Sequence, residues 1–212
     1  MRERPPDRRA VPAGYPLGPA AAVAAAAAAL SLADPTRIVL VEGVSDQIAV
    51  DTLAQRLGAV AFPALAVVPV GGAQGLGRML RTIQSRHPGV PLTGLYDVGE
   101  AHVVRHALED AGMLASSGSI EDAGFFACRA DLEDELIRAC GPAVVEECLA
   151  RNGDLAAFRK LQNQPHWRDR PVDAQLRRWI ASGARRKLRY ARILVDAVPL
   201  ERMPPPLRAA LG

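Results

Sequence analysis

The pattern of apolar and polar positions is clearest between Arg37 and Asp46. There Ile38-Val39-Leu40-Val41 runs unbroken into Glu42-Gly43-Val44-Ser45-Asp46. A short continuous apolar run rich in β-branched residues predicts a buried, parallel strand. Gly43 lets the chain turn sharply, and Ser45 is a suitable N-cap for a helix. From Gln47 to Leu57 the apolar positions Ile48, Ala49, Val50, Leu53, Ala54 and Leu57 form one helical stripe, closed by Gly58. Ala64 to Val70 predicts a second buried strand, and Gly71-Gly72-Ala73-Gln74-Gly75-Leu76-Gly77 leads from it into a helix ending near His87. These glycines are out of register with G-x-G-x-x-G. The loop reads mainly as a strand-to-helix turn, with phosphate contact by its amides as the alternative. Leu92 to Tyr96 is a third strand, ended by Asp97 and followed by a helix through Val103, Val104, Ala107 and Leu108. Phe125 to Cys128 is a fourth, followed by Asp131-Leu132-Glu133-Asp134-Glu135-Leu136. Strands alternating with helices predict an α/β protein with a parallel sheet flanked by helices.

The remaining segments are helical or irregular. Ala143–Leu149, Asp154–Leu161, Val172–Ile180 and Arg185–Val198 each carry helical apolar spacing between Gly and Pro breaks. The chain therefore divides into a basic, Pro-rich tail over 1–18 with the composition of disorder, an alanine-rich helix within 19–34, a core over 35–140 and a helical C-terminal extension over 141–212. The tail and the alanine run together resemble a signal peptide, with Ser31-Leu32-Ala33 as its cleavage site. Alanine is only weakly apolar, however, and a helix from Ala20 to Leu32 fits better. No stretch approaches the ~20 strongly apolar residues of a membrane span.

Composition narrows the reading. Within 212 residues apolar content is 49% but aromatics only 4%, so the core is built from Ala, Val and Leu. A net charge of +3 and a pI near 9.0 permit a polyanionic partner without demanding one. Cys128, Cys140 and Cys148 are odd in number and lack Cys-x-x-Cys spacing, which predicts reduced thiols and a cytoplasmic location.

Candidate chemistry gathers at strand ends. Glu42 follows the first strand, where open α/β sheets place their sites. Asp46 lies in the next helix's first turn, so both carboxylates can face one crevice. Helix capping and a metal site both account for this stretch. Asp97 ends another strand, and convergence of the carboxylates on one edge favours the metal.

Val41-Glu42-Gly43-Val44-Ser45-Asp46, Val70-Gly71-Gly72 and Leu95-Tyr96-Asp97 resemble the successive motifs of a TOPRIM domain, the fold of topoisomerases, primases and OLD-family (overcoming lysogenization defect) nucleases. The V-E-G-x-S-D form, Asp131 to Leu136, and Arg185-Arg186-Lys187-Leu188-Arg189-Tyr190-Ala191 resemble the OLD branch, over about residues 35–197. The resemblance implies a TOPRIM-like Rossmannoid sheet and a Mg²⁺- or Mn²⁺-dependent endonuclease acting on DNA. By it, Glu42 is a metal ligand or acid/base group, Asp46 and Asp97 are metal ligands, and Glu133 and Glu135 hold a second ion. Lys187 matches a lysine near the scissile phosphate, and Arg185, Arg186, Lys187 and Arg189 form a basic run suited to phosphates. Charge runs are otherwise solvated faces, and the acids after Asp131 would suit a helix dipole equally. Trp179 and Tyr190 are expected in the core, and His102 and His106 on a helix surface.

Two departures matter. TOPRIM proteins usually carry Asp-x-Asp on the third strand, whereas here Gly99 stands at the second position, and Glu100 is the residue that could reach back to replace it. No Walker-type G-x-x-x-x-G-K-[ST] occurs. The expectation is a stand-alone TOPRIM protein or one half of a split system with a separate ATPase subunit, with a homodimer left open. The competing class is a degenerate, non-catalytic module that binds nucleic acid or a partner ATPase.

Overall fold

The computed structural model describes residues 12, 15, 16, 18, 20–31 and 34–212. Four strands, β1 (Arg37–Val41), β2 (Leu65–Pro69), β3 (Leu92–Asp97) and β4 (Phe125–Cys128), form one parallel sheet in the order β2-β1-β3-β4. Side chains alternate across the pleat, so each strand feeds two cores. Ile38 and Leu40 of β1 join Ala66 and Val68 of β2 on one face. There they meet Leu80 and Ile83 of α3 (Leu76–Arg86) and Val104 and Leu108 of α4 (Ala101–Asp110). Val39, Val41 and Val67 point the other way, against Ile48, Ala49 and Leu53 of α2 (Val44–Leu57).

Behind α2 lies the C-terminal half of the chain: α5 (Leu132–Cys140), α6 (Pro142–Arg151), α7 (Leu155–Gln162), α8 (Val172–Ala181) and α9 (Ala184–Ala197). These helices share one continuous core with β1 and α2. Arg56 near the end of α2 fastens the two halves, donating to the carbonyl oxygens of Val195 and Val198. A last helix, α10 (Pro205–Leu211), was not foreseen, because Pro204-Pro205-Pro206 reads as a break. Proline is tolerated in a first helical turn, which has no use for its missing N–H. From there Leu207, Ala210 and Leu211 enter the core, and Thr93 Oγ1 of β3 donates to the Ala210 carbonyl.

The alanine run forms α1 (Ala21–Leu30), two residues shorter at its C-terminal end than expected, with Leu32 outside the described residues. Ala25 belongs to the core on the α2 face and Ala26 and Ala29 to the core on the other. The helix thus straddles the β2 edge, where methyl-sized side chains permit a close approach and the edge is blunted. The expectation of a disordered tail falls almost wholly on residues outside those described.

One expected cap is corrected. Ser45 does not cap α2; Gly43 does, in extended conformation, and Asp46 at the third helical position accepts the Gly43 N–H at 2.9 Å. A carboxylate reaching back makes a charge-assisted bond, and it starts the helix two residues earlier than a Ser45 cap would.

Trp179 and Tyr190 lie in the core as expected, in edge-to-face contact with each other and, through Trp179, with Phe158. Asp154 accepts from the Tyr190 hydroxyl at 2.9 Å and pairs with Arg189, which is only 9% exposed. Breaking a buried pair from one side costs about 3 kcal/mol or more. Asp154→Ala is therefore expected to lose about that much stability in urea unfolding, the midpoint moving while the denaturant slope stays constant. The three cysteines are buried and free. Among the described residues, no helix is long and apolar enough to cross a membrane.

Candidate metal and phosphate site

The connection leaving β1 runs to β2 and that leaving β3 runs to β4 on the opposite side, so a crevice opens at the carboxyl ends of β1 and β3. Glu42 follows β1 and Asp97 ends β3, so neighbouring strands deliver two carboxyl groups to the same edge. They are close enough for the charge of Glu42 to raise the pKa of Asp97, after burial. The backbone of Glu42 is held as well: its carbonyl accepts the Gly71 N–H at 3.0 Å and the Gly72 N–H at 3.3 Å. Gly71 and Gly72 sit at φ +77° and +98°, a region that L side chains rarely adopt. Their amides are thus committed to Glu42 rather than offered to a phosphate.

Asp46 enters from α2 and Glu133 from α5, exposed by 9% and 3%. Lys187 of α9 reaches between them, its Nζ 3.3 Å from Glu133 Oε2. Burial raises the pKa of Asp46, with Lys187 and the Gly43 N–H pulling the other way. Burial also raises Glu42, reinforced by the charge of Glu100. Asp97 is pushed up to about 7 by burial and then by Glu42, Asp46, Asp131 and Glu100. Glu133 is likewise raised to about 7, by burial and then by Asp46, against the pull of Lys187. For Lys187, burial alone would favour the neutral amine, but Glu133 and Asp46 outweigh it and hold the ammonium charged well above neutral pH.

These shifts have a sign. Asp97 and Glu133 bind protons more tightly folded than unfolded, so their contribution to stability is complete below about pH 4 and lost as pH rises through about 7. In the presence of chelator, the thermal midpoint is expected to decline from pH 5 to pH 8 on this account. Asp97→Asn should flatten the decline, and an unchanged slope would remove Asp97 as its source.

Residues 36–98 match the family described as the overcoming lysogenization defect protein-like TOPRIM domain. Among solved structures, the C-terminal region of the Burkholderia pseudomallei OLD protein superposes with a TM-score of 0.57 at 18% identity, covering 84% of this chain and 96% of that one. The C-terminal region of the Xanthomonas campestris pv. campestris OLD protein gives 0.59 at 22% identity, covering 85% and 94%, and a second structure of it gives 0.58 at 23%, covering 84% and 90%. At these identities the likeness concerns the fold. No curated protein matches the sequence.

Within the sheet and its helical partners, the expected site residues separate into two groups. Glu42, Asp46, Asp97, Glu133 and Lys187 act on one another electrostatically in one cluster. Glu135 does not join it, since its Oε1 accepts the Arg129 N–H at 2.9 Å and pairs with Arg138 at 2.6 Å, tying β4 to α5. The basic run also divides. Arg185 is exposed, whereas Arg186 stacks 3.8 Å from the Trp179 ring and donates to Ser182 Oγ at 2.8 Å. Arg189 was expected among phosphate contacts but is buried on Asp154. Positions three apart share a helix face, and the face of Arg186 and Arg189 packs inward. His102 and His106 are exposed on α4, as expected.

Sequence reasoning missed Asp131 as a member. It caps α5, accepting the Asp134 N–H at 2.7 Å, and its other oxygen accepts Arg177 Nε at 2.7 Å. Its charge nonetheless acts on Glu42, Asp46, Asp97, Glu133 and Lys187 alike. The signal was its spacing of two from Glu133, concealed by an ordinary capping position. Arg177 is brought in by the same contact.

Among the described residues, no three His, Cys, Asp or Glu side chains are already gathered as a metal cage. The donor set still fits a hard divalent cation: carboxylate oxygens buried and crowded, so that Asp97 rises to about 7 through burial and then through its like-charged neighbours. Glu100 lines a small cavity together with Glu42 and Tyr96, and a side chain added at Gly99 would meet nothing within 4 Å. If Glu100 supplies the oxygen missing at position 99, Glu100→Gln should weaken Mn²⁺ binding about tenfold in a calorimetric titration, and adding Gly99→Asp should restore it. Unchanged affinity in Glu100→Gln would leave Glu100 with only its place at the head of α4.

Proposed function

We propose that the chain is a divalent-metal-dependent nuclease that hydrolyses phosphodiester bonds in DNA. The observation that carries this reading is the ammonium of Lys187 set among carboxylates from separate segments at the carboxyl ends of β1 and β3. Glu42, Asp46 and Asp97, with Glu100, would hold one Mg²⁺ or Mn²⁺, and Glu133 would offer oxygens to a second, with Asp131, held by the Asp134 N–H and Arg177, adding negative charge beside it. Glu135, already engaged, would contribute least. Such ions supply charge for the attacking and leaving oxygens of a phosphoryl displacement. Glu42 would accept the proton of the attacking water, its basicity raised by burial. Lys187, charged throughout the neutral range, would offset charge developing on the phosphate, and Arg185 would contact the backbone. In OLD-family nucleases a TOPRIM domain is paired with an ATPase domain. An ATPase, on a separate chain or elsewhere on a longer one, is the partner this reading implies.

The test is incubation of the purified protein with supercoiled and linear DNA in Mg²⁺, Mn²⁺ or chelator. Cleavage should require an ion. Binding without cleavage under every condition would favour the second reading, a non-catalytic module, for which the glycine at position 99 is the specific argument.

A further inference from the structure

A groove of about 620 Å³ opens beside Lys187, between the start of α1 and the start of α9. Its walls include Ala21, Ala22, Val44, Ser45, Arg185 and Lys187. Its two charged residues are cations, whereas the adjoining crevice carries Glu42, Asp46 and Asp97. Ser45 is the residue to explain. Because Gly43 and Asp46 start α2 between them, the Ser45 hydroxyl is released from capping, and it makes no hydrogen bond among the described residues although the residue as a whole is only 5% exposed. A hydroxyl that lines the groove without a protein partner is available to a ligand there. It stands in the first turn of a fourteen-residue helix, whose leading amides and dipole favour an anion. Arg185, across the groove, is exposed and forms no ion pair among the described residues.

We propose that this groove is a subsite for the nucleic-acid backbone flanking the reacting phosphate, with Ser45 and the first amides of α2 on one wall and Arg185 on the other. The assignment rests on the nuclease reading for its direction, because a strand reacting at the carboxylate cluster beside Lys187 would continue into the groove. The apolar floor formed by Ala21, Ala22 and Val44 leaves room for sugar and base without competing polar groups.

Binding is measured in chelator, by anisotropy of a fluorescein-labelled single-stranded oligonucleotide over a salt series, and cleavage in parallel with Mn²⁺. Arg185→Ala should bind about tenfold more weakly, with a salt slope shallower by about one phosphate contact. Ser45→Ala should bind about fivefold more weakly with its salt slope unchanged, because the lost donor is uncharged. Arg151→Ala, an exposed arginine on α6 outside the groove, should match wild type in both. Wild-type affinity and slope in both groove variants, or no binding by the wild-type protein, would overturn the subsite. Weakened binding in both variants, together with no cleavage by wild type, would sink the nuclease reading and leave the subsite standing.

Discussion

Glu42→Ala protein is expected to lose metal-dependent DNA cleavage by about a thousandfold or more, because the substitution removes both a proton acceptor and a ligand. Asp97→Ala should fall similarly. A concurrent loss of stability is not expected. Each carboxyl is raised by burial and by like charges, so removing one relieves repulsion, and the thermal midpoint in chelator should hold or rise. Cleavage by Glu42→Ala at the wild-type rate would show that the acidic crevice is not where the chemistry occurs. A fall in both midpoint and activity would instead mark Glu42 as a structural carboxylate.

Lys187→Ala should lower the cleavage rate about a hundredfold or more while weakening oligonucleotide binding by no more than about tenfold. Equal losses would reduce the lysine to an ordinary phosphate contact. The substitution also leaves Glu133 buried without its ammonium partner, so stability at pH 8 should fall. Adding Glu133→Gln should recover stability but not activity, which separates the two roles of the lysine.

The sheet was legible because buried parallel strands read as continuous apolar runs. Glu42 and Asp97 stood out because each interrupts such a run at its end. Other features depended on partners too far along the chain to be read locally. Arg189 looked like part of a basic face until Asp154, 35 residues earlier, was found beside it. Asp131 looked like one of several acids suited to a helix dipole; it caps α5, and α8 and α9 bring Arg177 and Lys187 to it. Ser45 was read as the cap, and the reach of the Asp46 side chain back to the Gly43 N–H moves the helix start to Val44. The helix α10 was hidden by its own prolines.

The bonds from Arg56 to Val195 and Val198 span 139 and 142 residues, and the bond from Thr93 to Ala210 spans 117. They belong to the core that α2 and β1 share with the helices beyond residue 140. Such pairings give a high contact order, since the entropy of closing long loops must be met before the contacts reward it. The early strands therefore cannot complete their core as they are synthesised. Until α9 and α10 arrive, the apolar face of α2 stays open to water, and slow, chaperone-sensitive folding follows from that wait.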